Sequence, residues 1–227
     1  MKIMKNGLII SCQALEDEPL HSSFIMGRMA LAAKEAGAIG IRANSIVDIL
    51  EIKKIVDLPI IGIIKNKNYN SSIFITPSLK EIKDLLAVDV EIIALDASLE
   101  KRPHGEKLEE VIQYIRKNKP QQLIMADCNN YKEIENADKL GFDFVATTLY
   151  GDNKKTKESR IIENDNFELK KILANIKTPL IVEGGIKTPE ELQAIYDLHP
   201  YSIVIGSAIT RPQVIAKRFV DVIKKNK

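Results

Sequence analysis

The sequence predicts an α/β fold, a (β/α)8 TIM barrel formed as one domain over residues 1–227. Three observations carry that expectation. Eight short runs rich in β-branched and apolar residues recur at 8–12, 38–41, 60–64, 91–95, 122–126, 142–146, 180–182 and 202–205. Each is followed by a stretch with apolar residues at helical period, at 24–36, 45–55, 79–86, 107–116, 131–139, 167–174, 189–196 and 212–223. The rival fold, a doubly wound open sheet, commonly has fewer strands and, for dinucleotides, a Gly-x-Gly-x-x-Gly turn after the first one. Gln13-Ala14-Leu15-Glu16 stands there instead.

Taken in order, the elements support one another. Parallel neighbours need a crossover connection, which the intervening helix supplies. Gly37 and Gly141 sit just past helix ends, Thr188-Pro189 reads as N-cap followed by N1, and Pro212 opens the last helix. No linker or low-complexity segment divides the chain. Two connections are longer than the rest, 66–72 after the third run and 150–165 after the sixth, and long polar loops on such a scaffold often serve as lids. The run Ile73-Phe74-Ile75-Thr76 is expected to be a small extra strand outside the barrel.

Composition narrows the function classes. With 45% hydrophobic and 28% charged residues the chain is an ordinary globular protein, long enough to hold a core without a metal or disulfide staple. The net charge of +2 is spread along the chain, which argues against a nucleic-acid partner. No apolar run approaches the ~20 residues of a membrane span, and the N-terminal apolar residues soon meet Glu16, Asp17 and Glu18, unlike a signal peptide. Cys12 and Cys128 fit neither a disulfide framework nor a metal pattern. The expectation is a cytoplasmic enzyme without a metal site.

The candidate site lies where the strands close, because the carboxyl ends of barrel strands form the active-site floor. Those residues are Gln13, Arg42, Lys65, Asp96, Asp127, Thr147, Glu183 and Gly206. Side chains alternate along a strand, so Ile61, Ile63 and Lys65 share a face, as do Leu123, Met125 and Asp127, and Ile181 and Glu183. If the apolar members fill the barrel, the last member of each series points into its mouth. A single charge at a strand end is as readily explained by emergence into water. Convergence of the whole set is not, since such groups are costly to bury unless paired or used.

Glu183-Gly184-Gly185-Ile186 follows the seventh run, and Gly206-Ser207-Ala208-Ile209-Thr210-Arg211-Pro212 the eighth. Glycines let backbone N–H groups approach an anion, and these two loops are the usual phosphate site of this fold. Arg211 and the amides opening the last helix would add positive charge. His21 and His199 lack a second histidine at ligand spacing and are expected to be structural or surface residues, whereas His104 could reach the mouth.

The ordered blocks Ser11-Cys12-Gln13-Ala14-Leu15 with Pro19-Leu20, Gly40-Ile41-Arg42-Ala43-Asn44, Gly62-Ile63-Ile64-Lys65, Ala94-Leu95-Asp96-Ala97, Met125-Ala126-Asp127, Thr147-Thr148-Leu149, Glu183-Gly184 and Ala208-Ile209-Thr210-Arg211-Pro212 resemble the N-acetylmannosamine-6-phosphate 2-epimerase family over nearly the whole chain. The resemblance implies a cofactor-independent interconversion of N-acetylmannosamine 6-phosphate and N-acetylglucosamine 6-phosphate, a step in bacterial sialic acid breakdown. By position it implies Lys65 and Glu183 as catalytic residues and Gln13, Arg42, Asp127 and Thr147 as sugar-binding ones. It places the phosphate at Gly184, Gly185, Gly206, Ser207 and Arg211. A homodimer is compatible with it. The chain departs from the family pattern at Asn66, Glu100, His104 and Tyr150-Gly151-Asp152-Asn153, mostly in loops.

Epimerising an amide-bearing carbon requires removing its proton, which is acidic only beside a carbonyl, so the sugar must first open. Lys65 is the candidate base that takes the proton from one face and returns it to the other, with Glu183 assisting ring opening; a two-base version, with Lys65 on one face and Glu183 on the other, is the alternative. Burial and Arg42 would lower the Lys65 pKa, and Glu183 or Asp127 would oppose that shift. Two alternatives use the same residues: a Schiff-base lyase or aldolase with Lys65 as nucleophile, and a barrel that binds phosphosugars without turning them over.

Overall fold

The computed structural model describes residues 3–150, 161–163 and 165–225. Strands and helices alternate as β1 (Leu8–Cys12), α1 (Ser23–Glu35), β2 (Gly40–Asn44), α2 (Ile46–Ile55), β3 (Ile60–Ile63), α3 (Leu79–Ala87), β4 (Ile92–Asp96), α4 (Leu108–Asn118), β5 (Leu123–Asp127), α5 (Tyr131–Leu140), β6 (Phe144–Ala146), α6 (Phe167–Asn175), β7 (Leu180–Glu183), α7 (Pro189–Tyr196), β8 (Ser202–Ile205), α8 (Ser207–Thr210) and α9 (Pro212–Lys225). The strands are parallel and close in sequence order, with β8 pairing β1. This is the single-domain (β/α)8 barrel that the alternation predicts.

Local chemistry sets several helix ends. Ser78 and Glu81 form a capping box at the start of α3. Asn130 caps α5, which ends on Gly141 in the left-handed region at φ 78°. Thr188 caps α7 and Pro189 opens it.

Strand alternation divides the apolar residues into two layers. Ile9, Ile61, Ile63, Ile92, Met125, Phe144, Ile181 and Val204 fill the barrel, while Ile41, Ile93, Leu95, Ile124, Val145 and Val182 pack outward against the helices. Each fully buried aliphatic side chain contributes roughly 1.5–3 kcal/mol. Above the inner layer, the same inward series continue into the mouth with polar side chains.

Two local expectations change. β2 extends through Asn44 instead of stopping at residue 41, because Arg42 and Asn44 stay in register with Ile61 and Ile63 of β3. The run 73–76 is not a separate strand outside the barrel. The β3–β4 ladder ends at Gly62 and Ile93, and this run fills the gap above it: Ile75 bridges Lys65, its carbonyl accepts from Asp96 N at 3.0 Å, and Thr76 N donates to Ile64 O at 2.7 Å. Buried backbone groups that lose their ladder partner need another, which this segment supplies. α9 half-buries Val214 and Ile215 and leaves Phe219, Val222 and Ile223 exposed. Among the described residues no helix is long and apolar enough to cross a membrane.

Candidate active site

The mouth holds a cavity of about 280 Å³ whose wall includes Gln13, Arg42, Lys65, Glu183, Gly184, Gly185, Gly206, Ser207 and Arg211. At its base Arg42, 1% exposed, donates from Nη1 to Asp127 Oδ1 at 3.0 Å and from Nη2 to Asp127 Oδ2 at 2.6 Å. Nη1 also donates to Glu183 Oε2 at 2.9 Å. One guanidinium, planar and carrying five donors, thus gathers two carboxylates from strands on the far side of the barrel. Burial works against the Arg42 charge, but Asp127 and Glu183 override it and hold its pKa above the ordinary value. Burial, reinforced by Asp127 and opposed by Arg42 and Lys65, pushes Glu183 above the usual carboxylate range.

Lys65 follows β3 on its inward series, and its backbone N–H donates to Asn44 Oδ1 at 2.7 Å. Its ε-amine makes no hydrogen bond or ion pair with another described residue. Burial first, then the positive charge of Arg42, pushes its pKa down to about 8 against the pull of Glu183. With that pKa about a tenth of the amine is neutral at pH 7, several hundred times the share of an ordinary lysine, and the neutral form is the one a general base requires.

On one side of the cavity Gln13 Nε2 donates to Ser11 Oγ at 2.7 Å. On the other lie the two glycine loops. Gly184 has φ +108°, and a Cβ there would stand 3.3 Å from Thr147 O, so a side chain would meet both backbone strain and crowding. Gly206 precedes the four-residue α8, the short extra helix that commonly completes a barrel phosphate site. Arg211 donates to Ser207 Oγ at 2.9 Å and pairs with Glu18 at 2.7 Å, which fixes its guanidinium at the rim. Lys187 and Arg218 also line this end, Arg218 donating to Lys187 O at 3.1 Å. They are two basic residues that strand-end reasoning did not reach.

Two expected sugar-binding residues do not face the cavity. Asp127 is fully buried beneath it, both oxygens held by Arg42, so it acts on the site through Arg42. Thr147 is buried with its hydroxyl on the Glu183 backbone, donating to the carbonyl at 2.8 Å and accepting from the N–H at 3.0 Å. Thr148 takes the cavity position, its Oγ1 2.5 Å from Asp127 Oδ1 and 3.4 Å from Glu183 Oε2. The signal was in the alternation: Phe144 and Ala146 face inward, so the next inward residue is 148.

Asp96 lies off the cavity wall, and burial raises its carboxyl to about 6 while the Ser98 amide and Arg102 oppose the shift. His104 stacks edge-on against Tyr69 at 5.0 Å rather than lining the mouth. The 66–72 connection is tied down, with Asn66 Nδ2 and Tyr69 Oη donating to Glu81 Oε1 at 3.0 and 3.2 Å. Most of the 150–165 connection, including residues 151–153, lies outside the described residues.

A family model described as "Putative N-acetylmannosamine-6-phosphate epimerase" matches residues 26–225. A protein of Listeria welshimeri named "Putative N-acetylmannosamine-6-phosphate 2-epimerase" is 51% identical over 98% of this chain and 94% of its own. One of the same name from Borreliella burgdorferi is 54% identical over 99% and 97%. The solved N-acetylmannosamine-6-phosphate 2-epimerase of Clostridium perfringens superposes with a TM-score of 0.91 at 50% identity, covering 97% of this chain and 94% of that one. A thiamine phosphate pyrophosphorylase of Pyrococcus furiosus, 18% identical with a TM-score of 0.59 over 92% of this chain and 88% of that one, shares the fold alone.

Proposed function

The chain belongs to the N-acetylmannosamine-6-phosphate epimerase family and is an isomerase-class enzyme, and from that premise we propose that it epimerises N-acetylmannosamine 6-phosphate at C2 with its own side chains, in amino sugar breakdown. The observation that carries this reading is the Lys65 amine, pushed down to about 8 and lining one cavity with Glu183 and the two glycine loops.

Ring opening breaks the C1–O5 bond. Glu183 in its acid form gives a proton to O5 and recovers one from O1, leaving an aldehyde and a carboxylic acid. Neutral Lys65 then takes the proton from C2, and the electron pair moves to O1. Glu183 and Arg42 hold the charge that develops there, in the manner of an oxyanion site. After the intermediate reorients, the ammonium returns its proton to the opposite face. The phosphate, held by the loops at Gly184, Gly185 and Gly206 with Ser207 and Arg211, supplies remote binding energy that aligns C2.

The direct test is an NMR time course of the purified protein with N-acetylmannosamine 6-phosphate. Signals of N-acetylglucosamine 6-phosphate should grow to a constant ratio, and their absence in folded protein would sink the assignment. Borohydride added with substrate should leave no stable adduct on Lys65, whereas the lyase alternative requires one.

A further inference from the structure

Of the three consecutive acids after β1, Glu16 and Asp17 are exposed, while Glu18 is turned inward and half-buried. Its carboxylate gathers N–H groups from two separate stretches of chain. Oε2 accepts from Leu15 N at 2.8 Å and from Arg211 Nη2 at 3.0 Å, and Oε1 lies 2.7 Å from Arg211 Nε and 3.3 Å from Gln213 Nε2. Two contacts between one guanidinium and one carboxylate fix the plane of the arginine as well as its place. The remaining nitrogen, Nη1, donates to Ser207 Oγ at 2.9 Å. A guanidinium can only donate, so the Ser207 oxygen accepts and its own hydrogen stays free. That hydrogen has no acceptor among the described residues, and Ser207 lines the cavity.

We infer that Glu18, which does not line the cavity, is a positioning residue that makes the mouth selective for a phosphorylated sugar. It acts through Arg211, holding the guanidinium against Ser207 so that the hydroxyl hydrogen meets, in a fixed direction, a group that only accepts. A phosphate monoester dianion is such a group. This deepens the epimerase reading and rests on it, because there the phosphate is what aligns C2.

Two effects of Glu18 oppose each other. Its negative charge repels the phosphate, and its fork orients the donors that bind it. Arg211 and Glu18 are 27% and 16% exposed, so water and salt weaken the repulsion. An arginine without its fork would instead have to be ordered by each phosphate that binds. Orientation therefore prevails, and the two effects give opposite signs when the charge is removed.

The test is Glu18→Gln in the full-length protein, which keeps the shape and removes the charge. In titration calorimetry with inorganic phosphate the dissociation constant should rise about tenfold, the low end of what a hydrogen bond to a charged group contributes. kcat/KM for N-acetylmannosamine 6-phosphate should fall by about the same factor, while that for the unphosphorylated sugar stays within about twofold, a split that a merely structural role would not produce. Glu18→Asp, one methylene shorter, should move both readouts the same way and serves should the glutamine variant not fold. In an Arg211→Gln background Glu18→Gln should change phosphate affinity by less than about twofold, because a residue acting through Arg211 has nothing left to position. Unchanged or tighter phosphate binding, an equal loss for both sugars, or full additivity with Arg211→Gln overturns the inference. Failure of the epimerase reading would appear separately, as absence of turnover in the unaltered enzyme with the phosphate titration still readable.

Discussion

Arg42 and Asp127 meet in two parallel hydrogen bonds under the barrel mouth, at 3.0 and 2.6 Å, with side-chain exposures of 1% and 0%. Such a pair is costly to break from one side, because the remaining charge stays buried without a partner. Arg42→Met would leave both Asp127 and Glu183 without their cation. Destabilisation of about 3–5 kcal/mol is expected, a fall in Tm of roughly 6–20 °C for a chain of this size, measured by calorimetry. A Tm within about 2 °C of the unaltered protein would mean that the carboxylates relax into water.

The pH dependence follows from the Lys65–Glu183 pair. Lys65 is pushed down to about 8 and Glu183 is raised above the usual carboxylate range. Between those limits the pair holds one proton, and the productive arrangement has Lys65 neutral and Glu183 protonated. At lower pH both are protonated and the base is lost; at higher pH neither is, and the acid is lost. A bell-shaped kcat/KM is therefore expected, falling above about pH 8. A plateau continuing to about pH 10 would show that Glu183 works as a carboxylate instead.

Loss of Lys65 should stop hydrogen exchange as well as turnover. In heavy water the unaltered enzyme should place deuterium at C2 of the product, because an amine that has taken a proton can trade it with solvent. Lys65→Met keeps most of the apolar stem, and both C2 exchange and epimerisation should drop at least ~100-fold. Near-normal exchange in the folded variant would hand the abstraction to Glu183.

Removing the phosphate should cost alignment. Unphosphorylated N-acetylmannosamine should show kcat/KM lower by about 100-fold or more, the scale of loss that misplacement of a reacting group produces. Arg211 supplies a second readout: its positive charge helps lower the Lys65 pKa. Arg211→Gln should raise KM for the phosphorylated sugar and move the alkaline limb upward. Equal kcat/KM for the two sugars would remove the phosphate assignment.

Asp127→Asn separates direct binding from action through Arg42. Asp127 touches Arg42 and Thr148 and does not line the cavity. The variant should therefore lower kcat more than it raises KM, by about tenfold, since the disturbed groups act in the transition state. A rise in KM alone would return Asp127 to the role of a sugar ligand.

Local periodicity was enough to determine the barrel, because alternation along a strand and the helical period are properties of neighbouring residues. It also brought Lys65, Arg42 and Glu183 to the mouth, each as the polar member of an inward series. Two outcomes depended on partners far away in the chain. The run 73–76 became part of the barrel wall because β3 and β4 stop pairing beneath it. Asp127 went under the cavity rather than onto its wall because Arg42, 85 residues away, takes both of its oxygens. Which of two adjacent threonines enters the mouth was, by contrast, legible locally, since Phe144 and Ala146 face inward and Thr148 is next in that series. The direction of the Lys65 shift was again a tertiary matter: burial and Arg42 lower its pKa, Glu183 raises it, and only their arrangement around the amine decides the balance.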